Sequence, residues 1–159
     1  MRNLMLGLIV LVGLSASACN DKGKQFAATT DRVAGYVGTG LLLVDQYTAA
    51  GQMSPETGTA IVTILRQVNT LNGQLVAEGK RYVQPDGGLK LTGDGQQQLL
   101  AIVATSTSLA NTLINDPRVL ALPDGQRKQI TMLVVNLSST VLSIGELIKT
   151  IKTVEEINQ

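Results

Sequence analysis

The sequence predicts an all-α protein, an antiparallel four-helix bundle with a small β-hairpin or an extended loop between the second and third helices. Three observations predict it. Four stretches carry apolar residues at alternating three- and four-residue spacing, the period of a helix with one buried face. Helix start and stop signals separate them. The connections are short, so successive helices bury their stripes most simply against one another.

The first helix is expected over residues 25–49. Val33, Val37, Gly40, Val44 and Tyr47 form its stripe, widened by Tyr36 and Leu41, and Gly51 suits the stop. Ser54-Pro55-Glu56 restarts the chain with a capping serine, a proline at the first helical position and an acid in the first turn. The second helix then runs to about Lys80 on Ile61, Ile64, Val68, Leu71 and Leu75, with Leu65 beside them.

Arg81–Gln84 and Leu89–Thr92 are strand formers around Pro85-Asp86-Gly87-Gly88, the pattern of a hairpin whose glycine takes positive φ. Two strands alone are marginal, so this hairpin must lean on the helices. Thr92 or Asp94 caps the third helix, which carries Leu99, Ile102, Val103, Leu109, Ala110 and Leu113 up to Asp116-Pro117. Arg118–Leu122 is apolar enough to pack down as a turn of its own.

Pro123-Asp124 opens the fourth helix, with Ile130, Leu133, Leu137, Val141, Ile144, Ile148 and Ile151 as its stripe. At 1.5 Å per residue it would be about 50 Å long against about 33 Å for the third, and the hairpin is expected to cover the overhang.

Ahead of the helices stand Met1-Arg2-Asn3, the apolar run Leu4–Leu14, and Ser15-Ala16-Ser17-Ala18-Cys19. A short positive segment, an apolar segment and small residues form the order of a secretory signal. Eleven apolar residues fall short of the roughly 18 a helix needs to span a bilayer. Ala16-Ser17-Ala18-Cys19 resembles the lipobox of bacterial lipoproteins, although Ala16 stands where leucine is usual. The resemblance covers residues 1–19 only. It implies that residues 1–18 are removed as a signal peptide and that Cys19 receives a diacylglycerol and becomes the new N-terminus. It also accounts for one unpaired cysteine in an exported chain, where cysteines are usually paired. Ordinary signal peptidase cleavage after Ala18, giving a secreted soluble protein, is the alternative. Residues 19–24 are then the lipidated N-terminus and a polar tether, and residues 25–159 a single helical domain.

Charge and composition exclude several functions. Without Arg2 the chain has twelve Lys plus Arg against twelve Asp plus Glu and no basic block, so nucleic acid is not an expected partner. Phe26, Tyr36, Tyr47 and Tyr82 are too few for base stacking. There is no histidine, and Cys19 is assigned to lipid, so histidine-dependent triads and Cys/His zinc sites are ruled out.

The acids offer little chemistry. Asp86, Asp94 and Asp124 each precede a glycine and suit turns or caps; they lack the dense acidic loop of a calcium site. Gly35, Gly38 and Gly40 are not preceded by a strand or followed by Lys-Ser/Thr, so a nucleotide loop fails, and close helix approach or a kink is expected there. Asp45 and Glu146 are expected at the exposed edges of their stripes. Asn136-Leu137-Ser138 matches a glycosylation sequon by chance.

Residues 33–44, 95–115 and 129–145 contain no charge. Solvated helix faces usually carry Glu and Lys. Either small polar residues solvate these flanks, or the fourth helix is central, or the flanks are covered by another copy, an envelope partner or lipid. A transmembrane reading of 129–148 is poor because Gln129, Thr131, Asn136, Ser138, Ser139, Thr140 and Ser143 interrupt it.

The expected function is therefore a non-enzymatic module of the bacterial envelope, on the periplasmic or outer-membrane side, anchored through Cys19. It would act through a protein partner or self-association on its low-charge faces, without metal or cofactor. A carrier of an apolar ligand such as a lipid, held in the core, is the alternative.

Overall fold

The computed structural model describes residues 22–157. The signal-like segment, Cys19, Asn20 and Asp21 lie outside the described residues. The fold is all-helical: α1 (Lys22–Ala49), α2 (Pro55–Lys80), α3 (Gly93–Ile114), α4 (Pro117–Leu120), α5 (Asp124–Lys149) and α6 (Val154–Ile157). The expected fourth helix is α5. It spans about 39 Å rather than 50 Å, because it stops at Lys149 and Ile151 is buried beyond its end.

Each long helix buries the line its period marks out. In α1 the buried positions are Gly23, Phe26, Thr30, Val33, Val37, Gly40 and Val44. The helix begins at Lys22, so residues 22–24 belong to it and not to a tether. Tertiary contacts supply the reason: the Gly23 N–H donates to the Gly87 carbonyl at 3.2 Å, and Lys22 Nζ donates to the Thr150 carbonyl at 2.6 Å. Polar composition alone says nothing of such partners.

In α2 the buried line runs Ile61, Leu65, Val68, Asn72, Leu75 and Gly79, with Ile64 and Leu71 half-buried beside it. The centre lies one residue away from the expected stripe because a polar residue, Asn72, occupies it. Asn72 Nδ2 donates to the Thr30 carbonyl at 3.0 Å, while its Oδ1 is buried with no partner. Ser54 caps α2 by accepting the Thr57 N–H at 3.2 Å, with Pro55 behind it.

Residues 81–92 form a tight loop held by single bridges in place of two strands. Val83 bridges Leu89 in antiparallel fashion, and the Gln84 N–H donates to the Gly88 carbonyl at 2.8 Å. Gly87 sits at φ 84°, and Asp86 Oδ1 accepts the Gly88 N–H at 2.9 Å. The second arm does not continue the ladder. Leu91 turns instead to Thr153, in a parallel bridge whose hydrogen bond runs from the Val154 N–H to the Leu91 carbonyl at 2.9 Å. The loop thus packs on the end of α5, and a lone two-stranded ribbon is replaced by contacts that bury Leu91 completely.

Thr92 caps α3, accepting the Gly95 N–H at 3.1 Å. Asp116 caps the short α4, whose Val119 is fully buried. Past α5, Thr153 and Glu156 form a reciprocal capping box on α6, with the Thr153 N–H donating to Glu156 Oε2 at 2.8 Å.

The four long helices meet pairwise, α1 with α2 and α5, and α3 with α2 and α5. Their lines form one core from Phe26 to Ile151. Of the three glycines in the middle of α1, Gly40 alone is packed: a Cβ there would meet Leu65 Cδ1 at 2.9 Å and Leu133 Cδ2 at 3.1 Å, whereas Gly35 and Gly38 face open space. In α2, Gly79 lies against the Phe26 ring, where an added Cβ would overlap it.

Two stability predictions follow from this packing. Gly35→Ala and Gly38→Ala should each raise stability by about 0.5–1 kcal/mol through helix propensity, whereas Gly79→Ala should lower it by about 1–3 kcal/mol by displacing Phe26. Urea midpoints of the three variants check this ordering. Asn72→Leu, which removes a buried orphan oxygen while keeping the same branching, should leave the thermal midpoint unchanged or raise it by up to about 1–2 kcal/mol of equivalent stability. A loss of that size would show that Asn72 is satisfied in solution.

Candidate functional site

A groove about 950 Å³ in volume and open to solvent runs between α3 and α5. Its floor is Val103 and Gly145, which approach closely enough that a Cβ on Gly145 would stand 3.1 Å from Val103 Cγ1. The α3 wall is small and polar, with Ala104, Ser108 and Asn111, because no charge falls in residues 95–115. Leu142 lines the α5 wall and is 50% exposed. Charges stand only at the two ends of the groove, Glu146 and Lys149 at one, Asp116 at the other.

The outward face of α5 continues this surface. Met132 and Val135 are 51% and 49% exposed, on the same side of the helix as Leu142. Three large apolar side chains thus stand half in water on one helix face. By length and composition α5 is also apolar enough to cross a membrane, with mean hydropathy 1.5 in its best window. Its other side, however, is the core, where Val134, Leu137, Ile144 and Ile148 are fully buried.

At the Asp116 end the electrostatics are local. The Asp116 carboxylate accepts from the Arg118 backbone N–H at 2.8 Å and from its guanidinium Nε at 2.9 Å and Nη2 at 2.7 Å. Those hydrogen bonds from Arg118 hold the Asp116 carboxyl below its ordinary value of 3.8, against the opposing effect of burial. The same pairing raises the Arg118 guanidinium, which stays charged throughout.

No family model, curated protein or solved structure matches this chain.

The carboxylates weighed from the sequence do not converge. Asp45 and Asp94 are exposed, Asp86 closes its turn, Asp124 pairs with Arg127, and Glu146 pairs with Lys149 at 2.8 Å. Among the described residues no three of Asp, Glu, Cys and His gather as a metal would need. Cys19 lies outside the described residues. Two polar features escaped the sequence reading. Glu78 is buried, salt-bridged to Arg81 at 2.8 Å and bonded by the Tyr82 hydroxyl at 3.1 Å. The Thr153-x-x-Glu156 box was readable as a motif, since Glu sits three residues after Thr.

Asp116 provides a pH test. Its folded value is depressed, so the stability it contributes is present above its unfolded value and is lost as pH falls through the folded one. Asp116→Ala should cost about 1 kcal/mol at pH 7 through the lost cap. The gap from wild type should close as acid titrates the native carboxylate. Urea unfolding of both proteins at pH 7 and in strong acid measures it; a gap independent of pH would contradict the assignment.

Proposed function

We propose that this chain is a lipid-anchored, non-enzymatic envelope protein that works by binding another macromolecule through the uncharged surface of α3 and α5. The observation that carries the reading is the apolar strip Met132, Val135 and Leu142 beside a groove with uncharged walls. Interfaces deplete charge at their centres and keep it at their rims, and here the charges stand at the groove ends. The scatter of the carboxylates supports a non-enzymatic role, since general acid–base work needs groups converging on one site.

The finer architecture belongs to the same proposal: an antiparallel four-helix bundle, capped at one end by the 81–92 loop. The contacts of Gly79 with Phe26 and of Gly40 with Leu65 support opposed α1 and α2. Gly145 against Val103, with Gln96 Nε2 bonded to the Ile148 carbonyl at 3.0 Å, supports opposed α3 and α5.

The anchor rests on Ala16-Ser17-Ala18-Cys19 and its resemblance to a lipobox. Cys19 lies only three residues before Lys22, so a lipid there would hold the α1 start, and with it the 81–92 loop, within about 10 Å of the bilayer surface. Labelled palmitate should enter the wild-type protein in a bacterial host and be absent from Cys19→Ser. Equal label in both would refute the anchor. Lipid co-purifying with Cys19→Ser in native mass spectrometry would instead favour an apolar-ligand carrier.

A further inference from the structure

We infer that the occupant of the exposed α5 face is a second copy of this chain, packed with its α5 antiparallel about a two-fold axis near Leu137. This inference names the partner for the surface described under the proposed function and rests on that reading.

The outward positions of α5 are Lys128, Met132, Val135, Ser139, Leu142 and Glu146, all exposed and separated by 4, 3, 4, 3 and 4 residues. That series keeps to one face of a helix, and it reads the same in both directions. Two identical helices laid antiparallel about its midpoint therefore meet in register. Met132 of one copy faces Leu142 of the other, and Val135 faces Ser139.

Charge then selects this register and orientation. Residues 129–145 are uncharged, and the strip ends in a cation, Lys128, and an anion, Glu146. Antiparallel pairing places Lys128 of each copy against Glu146 of the other, twice by symmetry. Parallel pairing would instead set Lys128 on Lys128 and Glu146 on Glu146. Lys128 makes no ion pair among the described residues. Glu146 accepts from Lys149, and its carboxylate keeps lone pairs for a second donor.

Steric features agree with close approach. Ser139 stands at the middle of the strip, where a small side chain lets two helices near one another. At its C-terminal end the strip borders the α3–α5 groove, which Leu142 and Glu146 line, so there the partner helix has a second wall to lie against. A strip about 27 Å long and one helix wide is small for a stable pair, and the α3 wall brings the contact toward the roughly 1,000 Å² a specific interface needs.

The test uses the full chain in detergent, treated with a short bismaleimide. Lys128→Cys/Glu146→Cys should give a crosslinked dimer, because the two thiols lie about 27 Å apart along one helix and can be bridged only between copies. Wild type and each single variant should stay monomeric on the gel, with wild type reading out any reaction at Cys19. Sedimentation supplies the second arm. Lys128→Glu or Glu146→Lys should weaken dimerisation about tenfold by creating two like-charge contacts, and combining them should restore it.

Crosslinking of Lys128→Cys alone would mean a parallel pair and overturn the inference. So would a monomer at all concentrations, or a charge reversal that fails to rescue. Palmitate labelling of Cys19 is blind to all of these outcomes, so the anchor and the dimer fail separately.

Discussion

The apolar line along α5 is the constraint on which the other elements depend. Ile130, Val134, Leu137, Val141, Ile144 and Ile148 recur every three or four residues, and none is more than 3% exposed. Burying each is worth about 1.5–3 kcal/mol, so the line as a whole rivals the net stability of a typical domain. One neighbour cannot cover a stripe that wide. α1 and α3 flank it from two sides, and α2 closes the arrangement by touching both. The close approaches at Gly40 and Gly145 follow from this demand: α1 and α3 come near enough to cover α5 only where a side chain is missing.

The two ends of the molecule are held differently. Where α1 begins and α5 ends, polar and backbone bonds tie distant segments together. Lys22 reaches Thr150, Gly23 reaches Gly87, Gln96 bonds the Ile148 and Ile151 carbonyls, and Val154 bonds Leu91. The bonds from Lys22 and Gln96 satisfy carbonyls that the C-terminus of α5 leaves open. At the opposite end the Tyr47 hydroxyl donates to Gln129 at 2.6 Å, and α4 packs chiefly through Val119. The more heavily bonded end is the one nearest Cys19 in sequence, where a tether would load the fold mechanically.

What could be read in the sequence follows the same physics. Helical period, Ser54-Pro55, Thr92 and Pro123-Asp124 are local signals, and the four long helices lie where those signals put them. Long-range effects were not readable. The extension of α1 to Lys22 depends on Gly87 and Thr150, more than 60 residues away. The phase of α2 was hidden because Asn72 interrupts an otherwise apolar line. Leu91 left the expected hairpin for Thr153, a partner that no local pattern announces. The uncharged runs were visible as composition. Which of their residues face outward depends on the helix phase, and the phase divides α5 into a core line and the Met132–Leu142 strip.

A lipid on Cys19 and an antiparallel α5 pair are compatible in one attitude. The axis relating the two copies is perpendicular to α5, so it places the two α1 starts at opposite ends of the pair. Both tethers reach one bilayer only when that axis stands along the membrane normal, with the α5 helices lying in the membrane plane. An upright pair would lift one anchor by the length of α5, about 39 Å, far beyond what three residues span. Anchoring and pairing together would therefore lay the helices along the surface. That attitude turns the remaining uncharged face, α1 from Val33 to Val44 with Leu42 66% exposed, either toward the headgroups or away from them. Leu42 lies on the opposite side of α1 from the buried line, and a single exposed leucine among glycine, alanine and threonine inserts little apolar area. Lipid contact through α1 would then add little to the hold of the anchor, and a pair so anchored would be held to the bilayer by its two diacylglycerols.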